Sequence, residues 1–166
     1  MPPIITIVGK SESGKTTLIE RLIPELKNRG YKIGTTKHAS HGFDIDKKGK
    51  DSQRHKQAGA DMVIVASPGK IAMVKDEDCE TLDCLEKYFH DMDLVIAEGY
   101  KKEDRPRIEV FRSTRHKMPL CPDHKNLVAF VTDKGIDLKV PVFGLEEIQR
   151  LAGFIEKKYL AKVLPA

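Results

Sequence analysis

The sequence predicts an α/β fold: a three-layer sandwich with a mostly parallel central sheet and one antiparallel hairpin. Short β-branched runs alternate along the chain with stretches whose apolar residues recur at helical spacing, the pattern of strand–helix–strand units. The first such run is followed at once by a glycine-rich loop and a helical stripe. Two neighbouring runs, by contrast, are separated only by Ser67-Pro68-Gly69, a turn that joins antiparallel strands.

Ile4-Ile5-Thr6-Ile7-Val8 is almost continuously apolar, as a strand covered on both faces must be. Leu18, Ile19, Leu22, Ile23 and Leu26 then set a helix over 16–29, which Gly30 stops and in which Pro24 is expected to kink the axis. Tyr31–Lys37 reads as a second strand. The polar segment His38–Asp51 reads as a loop, and Asp51–Ala58 as a short helix capped by Asp51 or Ser52. Asp61–Ala66 and Ile71–Val74 form the hairpin. Leu82, Leu85, Tyr88 and Phe89 mark a helix, Leu94–Ala97 a buried strand, and Ile108–Phe111 a shorter strand expected at an edge. Ser113–Lys125, with Pro119 and Pro122, is loop. Leu127–Val131 is a strand, Val140–Phe143 a last short one whose Pro141 places it at an edge, and Leu145, Ile148, Leu151, Ile155 and Leu160 carry the final helix.

The chain has 166 residues, 40% hydrophobic and 33% charged, with a net charge of +4. That length and balance fit a single nucleotide-sized domain over 1–166 rather than a disordered chain. No run of about 18 apolar residues is present, which excludes a membrane-spanning helix. The N-terminus carries no basic-then-apolar segment of the secretory kind. Aromatic residues are only 6% and are not interleaved with basic ones, which excludes the nucleic-acid-binding class. Cys79, Cys84 and Cys121 match no zinc spacing, and they are expected to be free thiols in a reducing, cytoplasmic setting.

The strongest chemical signal is Gly9-Lys10-Ser11-Glu12-Ser13-Gly14-Lys15-Thr16, which fits G-x-x-x-x-G-K-[ST] and lies between a strand and a helix. Glycine lets the backbone wrap closely around phosphate oxygens, and the helix N-terminus adds its positive end. Lys15 is expected to reach the β- and γ-phosphates and the Thr16 hydroxyl to ligate Mg²⁺. The layout is thus that of a P-loop NTPase-like sandwich. Glu98, closing the strand that Leu94 opens, is the second candidate metal ligand, or the group that orients an attacking water. P-loop proteins usually carry Asp there, and a turn-capping carboxylate is the other reading. In the polar loop, Lys37 is a candidate phosphate contact and Asp44 or Asp46 a metal contact. His38 and His41 have the spacing of a metal pair but no third ligand near in sequence, so a plain polar loop is the alternative. Asp133, after Leu127–Val131, is either a guanine-selecting carboxylate or a turn former.

Val8–Thr17, Lys37-His38 with His41-Gly42, Phe43-Asp44-Ile45-Asp46, Gly49-Lys50-Asp51-Ser52, Ala58-Gly59-Ala60 and Glu98-Gly99-Tyr100-Lys101 together resemble the molybdopterin-guanine dinucleotide biosynthesis adapter family, MobB. The resemblance implies a GTP-binding homodimer with weak GTPase activity at most. It would assist the MobA-type transferase that attaches GMP to molybdopterin, within molybdenum cofactor assembly. It also implies that Gly9–Thr17 bind GTP and Mg²⁺, that Lys37, His38, His41 and the 44–52 region line the nucleotide or pterin side, and that the hairpin supplies dimer contacts. A P-loop small-molecule kinase is the alternative, with Lys101–Arg107 as its cationic lid. The absence of a water-positioning Gln or an arginine finger predicts slow hydrolysis.

Overall fold

A computed structural model describes residues 1–160. The chain forms two compact units, one made of residues 1–38 together with the described residues from Thr81 onward, the other of Ala39–Glu80.

The first unit opens with β1 (Ile4–Val8) and α1 (Lys15–Asn28), followed by β2 (Ile33–Lys37). α1 buries Leu18, Ile19, Leu22 and Leu26. Each such burial contributes about 1.5–3 kcal/mol, so together they outweigh the ~3 kcal/mol cost of an interior proline. Pro24 accordingly lies within the helix without ending it, on its exposed side.

The second unit holds α2 (Asp51–Gln57) and an antiparallel pair, β3 (Met62–Ser67) and β4 (Lys70–Lys75). Cross-strand partners Ile64–Met73 and Ala66–Ile71 share one face of this hairpin with Met62. That face is apolar yet exposed: Ile64 is 53% and Ile71 72% accessible.

Back in the first unit, the helix expected over 82–89 is divided into α3 (Leu82–Leu85) and a 3₁₀ turn over Glu86–Tyr88. β5 (Leu94–Glu98), β6 (Arg107–Phe111), β7 (Leu127–Thr132) and β8 (Val142–Gly144) follow. α4 (Ile148–Ile155) then continues as a π-helical turn to Leu160. The final helix starts later than Leu145 suggests, because the Glu147 carboxylate accepts the Gly144 amide at 2.8 Å and holds the chain in a turn.

The six strands of the main sheet lie in the order β2-β5-β1-β6-β7-β8, and all pairings are parallel. Both faces are covered. Leu94 and Ile96 of β5 join the cluster beneath α1 and α4, while Val95 and Ala97 pack with Leu82 and Tyr100 on the other side. This is why β5 and β1 are continuously apolar rather than alternating.

β6 lies inside the sheet, not at an edge. Its short run suggested an edge, yet its charged residues Arg107 and Glu109 are only 3% and 1% accessible. Arg107 donates to the carbonyls of Lys101 and Glu103 at 3.1 and 2.7 Å. The Glu109 carboxylate accepts the amides of Leu120 and Cys121. Flanking loops thus give both charges hydrogen-bond partners, while the buried Arg107 Nε has none. Beside this pair, burial pushes the Cys121 thiol up to about 11. Cys121 is free, whereas Cys79 and Cys84 are disulfide-bonded, correcting the free-thiol expectation for those two.

Glu109→Ala strands two amide donors, and urea unfolding should show a loss of about 1–3 kcal/mol. A midpoint equal to wild type would mean that water replaces the carboxylate.

Candidate functional site

The C-terminal ends of β2, β5, β1 and β6 stand side by side because every pairing among them is parallel. Ligands of open parallel sheets collect at such ends. Here they carry, in spatial order, Lys37, Glu98, the loop after β1, and Arg112.

The loop fits its sequence tightly. A Cβ on Gly9 would stand 2.4 Å from the Val110 carbonyl oxygen and 2.6 Å from Ser13 Oγ, so only glycine lets the backbone pass there. Gly14 takes the left-handed conformation, φ +96°, and turns the chain into α1. Leu18 donates the helix's first bond, to the Gly14 carbonyl at 2.9 Å. The preceding amides therefore have no intrahelical acceptor. No side chain caps this end, and no acidic residue lies in its first turn. The result is an open, electropositive helix start.

Lys10, Ser11, Glu12 and Ser13 form the outer loop. Lys15 Nζ folds back over it and donates to the Lys10 carbonyl at 2.9 Å. Burial lowers the Lys15 pKa; Glu98 opposes that shift, while Lys101 and Lys37 add to it. Ser13 is fully buried and its hydroxyl lacks a partner. Thr16 Oγ1 donates to Glu98 at 3.1 Å and 3.3 Å from its two oxygens. Lys37 Nζ stands 3.9 Å from the same carboxylate. The His38 amide donates to the Glu98 carbonyl at 3.0 Å, and its ring meets Tyr100 edge-on. Ser11, Glu12, Gly14, Lys15, Thr16, Thr17, Glu98 and Arg112 line one open cavity of about 410 Å³.

Thr16 and Glu98 offer hard oxygen donors, the kind Mg²⁺ takes; that ion keeps several waters and completes its shell from phosphate. The residues present therefore fit the ion. Among the described residues no cluster of three or more acidic, His or Cys side chains forms a metal cage of its own.

His41 and Asp46 lie in the second unit, where the Asp46 carboxylate accepts the Lys47 amide at 2.8 Å. Asp133 holds the turn after β6: its Oδ1 accepts the Ser113 amide at 2.7 Å. Hydrogen bonds from this turn, first that of the Ser113 amide, keep its carboxyl below the usual range. The segment 101–107, considered as a lid, is tied down. Arg105 pairs with Asp83 and Glu86 at 2.5 and 2.6 Å, and Arg107 is buried as described.

Residues 4–133 match the family model for molybdopterin guanine dinucleotide synthesis protein B. The chain belongs to the MobB family. It is similar to the molybdopterin-guanine dinucleotide biosynthesis adapter protein of Haemophilus influenzae, at 38% identity over 157 residues, covering 93% of this chain and 88% of that one. The adapter protein of that name from Escherichia coli is 34% identical over 161 residues, covering 93% and 92%. Among solved structures, MobB of Bacillus subtilis matches with a TM-score of 0.77 at 25% identity, over 95% of this chain and 98% of that one.

Sequence reasoning located the MobB loop, Lys37 and Glu98. It missed Arg112 and His116, which reach the loop from the turn after β6; His116 Nε2 lies 2.6 Å from the Ser11 carbonyl oxygen. Their only sequence signal is a basic run in a polar segment, which looks like any solvated surface.

Gly9→Ala should cost about 1–3 kcal/mol through overpacking, read from denaturant unfolding. An unchanged midpoint would show that the loop yields.

Proposed function

We propose that this MobB-family chain acts as an adapter in molybdopterin guanine dinucleotide synthesis by binding GTP with Mg²⁺ at Gly9–Thr17. In this reading Lys15 holds the β- and γ-phosphates, the Thr16 hydroxyl ligates the metal, and Glu98 reaches it through water. The observation that carries the reading is the Thr16–Glu98 hydrogen bond beside an uncapped helix start. It joins the hydroxyl and the acid that a Mg·nucleotide needs, from the start of α1 and the end of β5. Lys37 and His38 flank Glu98; Asp46 and His41, also candidates from the sequence, belong to the second unit. Selection of guanine by Asp133 competes with that residue's bonds to the 113–114 turn.

The proposed partners are a MobA-type guanylyltransferase and molybdopterin or the molybdenum cofactor derived from it. The proposed setting is the cytoplasm. Among the described residues no helix is long and apolar enough to cross a membrane. The chain's own hydrolytic activity is proposed to be at most slow, since Glu98, the candidate for orienting an attacking water, is bound to the Thr16 hydroxyl.

Calorimetric titration with GTP and ATP, each with and without Mg²⁺, tests the site. Mg²⁺-dependent binding that favours GTP is expected, and Lys15→Ala should abolish it while the fold persists. Equal or better ATP binding would overturn the GTP assignment.

The homodimer is supported by the exposed apolar face of the β3–β4 hairpin, where Met62 and Met73 accompany Ile64 and Ile71. Sedimentation should give a dimer for the wild type and a monomer for Ile64→Glu/Ile71→Glu. A dimer in both would place the interface elsewhere.

A further inference from the structure

Arg112 directly follows β6, which pairs with β1 on the side opposite β5. Its guanidinium lies along the start of α1. A methyl group on Gly14 would stand 3.3 Å from Nη2, 3.8 Å from Cζ and 3.9 Å from Nε. It lines the same cavity as Lys15, Thr16 and Glu98, from the other side.

The side chain is short of partners. Nε is buried and has no acceptor. Among the described residues no carboxylate stands within ion-pairing distance. Glu146 feels the Arg112 charge, but its own carboxylate is bound to Arg21 at 2.6 Å. Such a group is always protonated, and its planar fork of donors matches two oxygens of a phosphate chain. Leaving it half-buried and unpaired beside a positive helix end is unfavourable until an anion arrives.

Nor does Arg112 hang from a loose loop. Its carbonyl accepts the amides of Arg115 and His116, each at 3.0 Å. Asp133 holds the Ser113 amide at 2.7 Å, His116 meets the Ser11 carbonyl oxygen at 2.6 Å, and Arg115 approaches Glu12 at 4.0 Å. The turn is therefore fastened both to β7 and to the loop it overhangs.

We propose that Arg112 is a ligand of the bound nucleotide's diphosphate, clasping it from the β6 side. This rests on the nucleotide-binding reading above. Thr16 and Glu98, on the β5 side, serve the metal and the terminal phosphate. Arg112, on the opposite side, meets the part of the chain nearer the nucleoside, which GTP and GDP share. Its contribution is therefore equal for both nucleotides.

The test is calorimetry of the full chain with Mg·GTP and Mg·GDP, for the wild type, Arg112→Ala and Arg112→Lys, with melting temperatures of the nucleotide-free proteins. Arg112→Ala should weaken both nucleotides by roughly 10- to 100-fold, the worth of a charge-assisted hydrogen bond. The ratio of the two affinities should stay within about twofold of wild type, and the melting temperature should be little changed, because the guanidinium makes no bond that the fold needs. Arg112→Lys, which keeps the charge and loses the fork, should recover only part of the affinity; it carries the test if the alanine variant does not fold. Wild-type binding with unaltered variant affinity would overturn the Arg112 assignment alone. A loss confined to GTP would also overturn it, by placing Arg112 at the terminal phosphate. Absence of GTP binding by the wild type would remove the reading of the site, and this assignment with it.

Discussion

The parallel pairing of β1 with β5 on one side and β6 on the other is the constraint on which everything else depends. A parallel ladder aligns strand ends of like polarity, so residues far apart in sequence arrive at one rim. Ile7 pairs with Glu98, and Val8 with Glu109. From that register the Glu98 side chain meets Thr16 at the start of α1, while Arg112, a few positions past Glu109, overhangs the loop. An antiparallel neighbour would bring the opposite end of its strand to this rim. The continuous burial of β1 and β5 is thus more than packing: it holds the register that assembles the site.

The rim is electrostatically one-sided. Lys15, Lys37, Lys101 and Arg112 gather around a helix start that lacks acidic residues, and Glu98 is the carboxylate set among them. Burial depresses the Lys15 pKa and its lysine neighbours depress it further, with Glu98 opposing. In the proposed nucleotide-bound state this balance would reverse, each cation gaining a partner and each free amide an acceptor. Like-charge repulsion around the helix start would then be relieved by the proposed ligand. Glu98 offsets part of the clustered positive charge.

Much of this was legible in the sequence, and the failures share a cause. The loop was readable because its glycines answer local backbone demands, of which the Gly9–Val110 approach is the clearest. Glu98 was readable because it closes an apolar run. β6 was expected at an edge because its run is short, whereas its place between β1 and β7 is set by long-range pairing that no local pattern announces. Arg112 was invisible for the same reason: its importance lies in its distance to Gly14, nearly a hundred residues earlier. The short helix at 82–85 shows the converse, a helical stripe too weakly supported to continue once Leu82 is buried.

The cavity's chemistry also bears on what an adapter requires. Its lining supplies hydroxyls, amides and cations, and its inner carboxylate, Glu98, already accepts the Thr16 hydroxyl. In the proposed role such a set binds phosphate and metal, and binding that is uniform along a reaction does not accelerate it. Hydrolysis needs a group that orients water on the terminal phosphate, and an added charge that appears only in the transition state. Arg112, clasping the shared diphosphate, does not supply that difference. Uniform binding of that kind suits the proposed role, which is to present or stabilise rather than to transform.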